Sequence, residues 1–129
     1  MSPGVSRIII ADDEPALLRV MVQYLRRLGY EVSGFSSGRE ALEAFEAEPA
    51  SFSLVIADAT LEDMPAAELL SRTRALAPGL GFLVSSGYPV DIAGFPEDLR
   101  ANTVFLQKPF TPKMLAETVA GIIGNPERG

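Results

Sequence analysis

The chain contains no cysteine and no histidine. The first absence removes disulfides, thiolate metal sites and cysteine nucleophiles. The second removes a Ser-His-Asp triad and imidazole ligands, so any metal held here is held by oxygen. Lack of cysteine also fits a reducing compartment, and a cytoplasmic location is expected. Positive charge is scarce: 11 Lys and Arg face 17 Asp and Glu, a net charge of −6. With no basic patch, direct binding of nucleic acid is not expected. No apolar run reaches membrane-spanning length, and the opening MSPGVSR lacks the apolar core of a signal peptide, so no membrane association is expected.

What is present is enough apolar material for a core. The 129 residues are 47% hydrophobic, which suits one compact domain. Short apolar runs alternate with amphipathic stretches. RIIIA (Arg7 to Ala11) reads as a strand buried on both faces. Leu17, Leu18, Met21, Val22, Leu25 and Leu28 then form one stripe at helical spacing, which Gly29 stops. YEVSGF (Tyr30 to Phe35) reads as a second strand. Ser37 with Glu40 has capping-box spacing and opens a helix that runs towards Pro49. LVIA (Leu54 to Ala57) is a third strand, ending on Asp58, and a helix over about Ala66 to Ala77 follows, closed by Pro78 and Gly79. GFLVS (Gly81 to Ser85) and TVFLQ (Thr103 to Gln107) are the fourth and fifth strands. Thr111 and Pro112 open a last helix. Between the fourth and fifth strands, two prolines and two glycines oppose a long helix, so a short one near Pro96 to Ala101 or an irregular segment is expected.

Five βα units with near-continuous apolar strands predict an α/β fold, a doubly wound parallel sheet covered on both faces. Ligands of such sheets bind at the carboxyl ends of the strands, near the topological switch point. The polar residues fall there. Asp12 and Asp13 follow strand one, Asp58 ends strand three, Ser85 and Ser86 end strand four, and Lys108 ends strand five. Each alone has an ordinary use as a cap, a turn residue or a solvated charge. Together they set three carboxylates, a hydroxyl and an ammonium around one crevice. Carboxylates in that number suit a hard cation such as Mg²⁺, and a lysine and hydroxyl beside it suit a phosphoryl group.

The motifs ADDE, LVIAD, VSSGY and FLQKPF together resemble the receiver domain of two-component response regulators, over about Arg7 to Ile123. The resemblance implies a flavodoxin-like five-stranded sheet of order 2-1-3-4-5, with residues 7–123 as the receiver domain between tails at 1–6 and 124–129. It implies that Asp58 is the phosphoacceptor and that Asp12 and Asp13 hold Mg²⁺, with the Asp58 carboxylate and the main-chain carbonyl of Thr60. It implies that Ser86 hydrogen-bonds the phosphoryl oxygens, that Lys108 pairs with them, that Phe105 is the aromatic switch residue, and that Lys108–Pro109 is a cis peptide. The implied function is a signalling switch, not an enzyme acting on a separate substrate. Its phosphoryl donor is a histidine kinase or phosphotransfer protein, and its readout a downstream protein or a tethered domain. Since the chain has no histidine, the donor phosphohistidine lies on another domain or chain. Stand-alone and hybrid-kinase settings both remain open, as does a homodimer through the fourth and fifth helices.

Three departures from the family pattern bear on this expectation. Glu62 stands where proline is usual and Ala66 where glycine is usual, and Glu62 and Asp63 are expected to add negative charge beside the site. The fourth-helix region is rich in proline and glycine. Phe105 has no hydroxyl, so a switch there works by packing. These departures support an alternative, a degenerate receiver acting as a phosphorylation-independent binding module. A third class, a Mg²⁺-dependent phosphatase built on Asp58, needs a substrate-binding cap for which the short connections leave little room.

Overall fold

The computed structural model describes residues 6–89 and 95–125. Its elements run β1 (Arg7–Ala11), α1 (Pro15–Leu28), β2 (Glu31–Phe35), α2 (Gly38–Ala47), a 3-10 turn (Pro49–Ser51), β3 (Leu54–Asp58), α3 (Ala66–Leu76), β4 (Gly81–Ser86), α4 (Glu97–Arg100), β5 (Thr103–Gln107) and α5 (Pro112–Ile123). The strands form one sheet in the order β2-β1-β3-β4-β5, and all four pairings are parallel. The chain steps to one side of β1 to make β2 and returns to the other side to make β3. The crevice therefore opens between the ends of β1 and β3.

The inner strands β1, β3 and β4 lack polar alternation because both their faces are covered. Ile9, Val55, Phe82 and Val84 pack with Phe45 of α2 and Leu69 and Leu70 of α3. Ile8, Ile10, Ile56 and Leu83 pack with Met21 and Leu25 of α1 and Leu115 and Val119 of α5. All of these residues are buried. A Leu or Ile so placed contributes about 1.5–3 kcal/mol relative to exposure, so each layer is a strong restraint on strand position.

Local signals end the helices where expected. Gly29 closes α1 in the left-handed region at φ 114°, a conformation that costs glycine little. The Ser37 half of the capping box forms, its Oγ accepting the Glu40 N–H at 3.1 Å. Thr111 does the same for Met114 at 3.1 Å. Leu28, counted in the apolar stripe of α1, is instead 38% exposed. It sits in the last turn, at the edge of an open groove shared with Lys113, Ala116 and Ala120 of α5.

The fourth helix is indeed short. Its four residues pack Leu99, with Phe95 before it, against the α2/α3 core. Residues 90–94, in the middle of the Pro- and Gly-rich stretch, lie outside the described residues. Two side chains, Arg74 of α3 and Thr103 of β5, tie α4 to the sheet through the Leu99 carbonyl. The buried Arg74 of α3 donates to the carbonyls of Leu80, Leu99 and Asn102 and to the Thr103 hydroxyl, at 2.8 to 3.2 Å. Burial pulls its guanidinium below its usual pKa. Among the described residues no helix is long and apolar enough to cross a membrane.

Candidate functional site

The ladder hydrogen bonds continue one residue past the strands and so fix the site residues. The Asp12 N–H donates to the Phe35 carbonyl, Ala59 N–H to Ser85 and Lys108 N–H to Ser86, at 3.1, 2.8 and 2.8 Å. The main chain on both sides of Asp58, and at Asp12 and Lys108, is thereby set by the sheet. Side-chain freedom is all that remains.

Asp12 and Asp58 are both buried. Lys108 reaches over them from the β5–α5 loop. Its Nζ lies 3.1 Å from Asp12 Oδ2, 2.8 Å from Glu14 Oε1 and 3.4 Å from Asp58 Oδ2. The Lys108–Pro109 peptide is cis. The second oxygen of Asp12 accepts the Glu14 N–H at 2.9 Å. Asp58 Oδ1 accepts both the N–H and the hydroxyl of Thr60, each at 3.0 Å. These bonds leave Oδ2 of Asp58 turned to the ammonium.

Two ionisation equilibria are displaced. Burial raises the Asp12 pKa, against the opposing pull of the Glu14 N–H and Lys108. Burial works to lower the Lys108 pKa, but its hydrogen bonds to Glu14 and Asp12 and the fields of Asp12 and Asp58 outweigh it and hold the ammonium above its usual value. One lysine thus faces three carboxylates, two of them out of water. Such a cluster lacks positive charge and attracts more.

The fit to a hard cation can be read from the donors. Asp12, Glu14 and Asp58 each offer one carboxylate oxygen, all within 4.8 Å of one another. An all-oxygen set of this size, two members buried and one on the open rim, matches the chemistry of Mg²⁺, which takes few protein ligands and keeps waters. The third carboxylate in this group is Glu14. Asp13 is exposed and lies outside it.

Ser86 is buried at the end of β4, and its Oγ accepts the Tyr88 N–H at 3.0 Å. Ser85 stands in register with Asp58. Its Oγ is buried without a hydrogen-bond partner among the described residues. Thr60 is exposed beside Asp58, and Phe105 is half-buried on β5, two residues before the Gln107 that closes the strand. The expectation that Asp63 loads the site with negative charge needs correction. Its carboxylate is turned away, onto the N-terminus of α2. Glu62 is exposed.

The sheet therefore brings together Asp12, Asp58 and Lys108, with the two buried serines at the end of β4 and Thr60 at the rim. Sequence reasoning overlooked Glu14 and the Thr60 hydroxyl. Glu14 belongs to the same acid run, but which of three consecutive acids turns inward depends on the turn geometry after β1. Thr60 carries a hydroxyl two residues past an aspartate, the spacing of a side-chain turn, which could have signalled its bond to Asp58.

A family model described as the response regulator receiver domain matches residues 8–120. The sensor kinase CckA of Brucella abortus is 35% identical over 118 residues, which are 90% of this chain and 12% of that kinase. The response regulator receiver protein CpdR of the same organism is 31% identical over 104 residues, 81% of this chain and 85% of CpdR. Among solved structures, the receiver domain of the hybrid histidine kinase CckA superposes with a TM-score of 0.79 at 30% identity, covering 92% of this chain and 99% of that domain. A CheY-like receiver domain protein from Methanospirillum hungatei superposes at 0.81 and 32% identity, covering 91% of this chain and 92% of its own.

Proposed function

This chain belongs to the response regulator receiver domain family, and we propose from that membership that it is a phosphoacceptor switch in which Asp58 takes a phosphoryl group from a phosphohistidine. The observation that carries the proposal is the placement of a buried aspartate between a lysine ammonium at 3.4 Å and a second buried carboxylate that shares that lysine.

The chain's own residues account for the chemistry. A carboxylate oxygen of Asp58 attacks the phosphorus of the donor, a P–O bond forms, and the P–N bond breaks with its electron pair leaving on the imidazole, which takes up a proton. The product is a mixed anhydride of carboxylate and phosphate. Thr60 orients the nucleophile through its two bonds to Oδ1, which leave Oδ2 towards the open crevice. Lys108 moves from shared carboxylates to the phosphoryl oxygens, and the Ser86 hydroxyl leaves the Tyr88 N–H to join it. Hydrolysis reverses the state: water attacks phosphorus, the P–O bond to Asp58 breaks, and phosphate departs.

Mg²⁺, when bound, supplies the positive charge that offsets repulsion between the Asp58 carboxylate and the phosphoryl oxygens. Asp12, Asp58 and the main-chain carbonyl of Thr60 would hold it. Asp13, as the family pattern implies, and Glu14, as the cluster in this structure suggests, compete for the remaining carboxylate position. Because the Lys108 N–H bonds the Ser86 carbonyl and Lys108 follows β5 directly, its movement pulls on β4 and on β5, the edge strand that carries Phe105. Packing around Phe105 is then the two-state element that the phosphoryl group biases, and the face of β4, β5 and α4 is the surface that changes.

A histidine kinase or a phosphotransfer protein is the donor in this reading. The receiver either stands alone, as the CpdR likeness suggests, or is tethered to a kinase, as the CckA likeness suggests. Intact-mass spectrometry after incubation with acetyl phosphate tests the proposal, with and without Mg²⁺, on wild type and Asp58→Asn. One phosphoryl adduct that needs Mg²⁺ and disappears in the variant is expected. A folded, Mg²⁺-supplied wild type that takes up nothing refutes it and favours a binding module.

A further inference from the structure

The loop between β3 and α3 departs from the family pattern at Glu62, where proline is usual. A proline would fix φ and stiffen the loop that carries Thr60. The structure supplies a different restraint. Asp63 Oδ1 accepts the Gly38 N–H and its Oδ2 the Arg39 N–H, each at 2.9 Å. These are the first two amides of α2, which have no acceptor within the helix. Ser37, the local cap, serves only the Glu40 amide. The front of α2 is thus capped twice, once by its own neighbour and once by a loop 24 and 25 residues further along the chain.

Packing closes the same contact. Leu61 and Met64, on either side of Asp63, are buried. A Cβ built on Gly38 would stand 2.9 Å from Met64 Cβ, so the helix approaches the loop at a distance that only glycine allows. Backbone amides hold the Asp63 carboxyl below its usual pKa, in keeping with a permanently ionised anchor. At its other end the same loop is fixed by Thr60, whose N–H and hydroxyl hold Asp58 Oδ1. Only Leu61 and Glu62 separate the two anchors.

We infer that Asp63 is a positioning residue for the phosphoacceptor: its clasp on the N-terminus of α2 does for this loop what the missing proline does elsewhere, and keeps Thr60 on Asp58. The inference rests on the reading of Asp58 as phosphoacceptor. It also makes α2 part of the site's support, so that the two communicate through one carboxylate.

Three variants test it. Asp63→Ala removes the clasp, Asp63→Asn keeps the side chain's shape without its charge, and Ser37→Ala frays the same helix end without touching the loop. Two readouts are taken: amide exchange at Thr60 in the unphosphorylated protein, followed by NMR, and the rate of phosphoryl uptake from acetyl phosphate with Mg²⁺. Asp63→Ala is expected to speed Thr60 exchange by about fivefold, the usual consequence of losing one cap, and to slow uptake by about as much. Asp63→Asn falls between it and wild type. Ser37→Ala exposes the Glu40 amide but leaves Thr60 exchange and uptake within about twofold of wild type. Unchanged Thr60 exchange in Asp63→Ala overturns the inference, and so does a Ser37→Ala variant that moves both readouts equally. Should Asp63→Ala not fold, Asp63→Asn decides on the same criteria. Failure of the wild type to take up phosphate refutes the proposed function, while Thr60 exchange still judges the clasp.

Discussion

Lys108 is the residue whose removal says most about the site. In Lys108→Met the side chain keeps its length and apolar stem, but three carboxylates lose the cation they share, and Asp12 and Asp58 stay buried without it. A unit charge pair at about 4 Å is worth about 4 kcal/mol at an effective dielectric of 20. Desolvation of the ammonium, which the variant no longer suffers, returns part of that. Breaking a buried pair by removing one partner costs about 3–5 kcal/mol, and Lys108 is a little open to solvent, so a loss of about 3 kcal/mol at neutral pH is expected.

Stability is read by urea unfolding followed by circular dichroism, at pH 7 and at pH 5, with and without Mg²⁺. The sign follows from Asp12. Its folded pKa is already raised by burial, and loss of the ammonium raises it further. A group with a raised folded pKa favours the fold when protonated, so the deficit of Lys108→Met shrinks as pH falls through that value. Mg²⁺ shrinks it too, because the cation replaces the missing charge and binds only the folded cluster. A deficit that is the same at both pH values and indifferent to Mg²⁺ would show that Lys108 acts by packing alone, and the electrostatic account of the site would be wrong.

Other perturbations probe separate parts of the account. Glu14→Gln and Asp13→Asn distinguish the two candidates for the outer metal position: by calorimetric titration, the variant that loses more than about tenfold in Mg²⁺ affinity, or about 1.4 kcal/mol, marks the ligand. Arg74→Met removes the donor that three carbonyls and a hydroxyl share, although the Leu99 carbonyl keeps the Thr103 hydroxyl and the Asn102 carbonyl keeps the Phe82 N–H; it is expected to cost about 2–3 kcal/mol in urea unfolding, with Arg74→Lys failing to rescue it because one ammonium cannot span a fork of acceptors. An unfolding free energy within about 1 kcal/mol of wild type for Arg74→Met would deny Arg74 its role as a tie to α4. Asp63, whose folded pKa is depressed by the Gly38 and Arg39 amides, contributes stability that is present above its unfolded pKa and lost as pH falls through the folded value. The acid limb of the unfolding profile should therefore be flatter in Asp63→Asn than in wild type.

The fold was legible because its signals are redundant. Both faces of the sheet are covered, so β1, β3 and β4 show as uninterrupted apolar runs, and Gly29, Ser37 and Thr111 mark helix ends by local chemistry. The weakness of α4 was legible for the same reason, through prolines and glycines that oppose a helix. Strand exits then placed Asp12, Asp58, Ser86 and Lys108 on one edge of the sheet. What could not be read were the contacts made by side chains in loops. Nothing in the run Asp12-Asp13-Glu14 says which acid turns inward, since strand alternation ends with β1 and the turn decides. Asp63 looked like a charge beside Asp58 because it is near in sequence, while its partners, Gly38 and Arg39, are brought to it only by packing of α2 on α3. Arg74 gave no signal, for a buried arginine with carbonyl partners has the same sequence appearance as one on a solvated helix face.

The most direct test locates the phosphoryl group. Protein treated with acetyl phosphate and Mg²⁺ is reduced with borohydride, which converts an aspartyl phosphate to homoserine, and is then mapped by peptide mass spectrometry. Homoserine at position 58, and there alone, is the predicted result. Homoserine at Asp12 or Asp13, or none in a protein that is folded and supplied with Mg²⁺, would contradict the account.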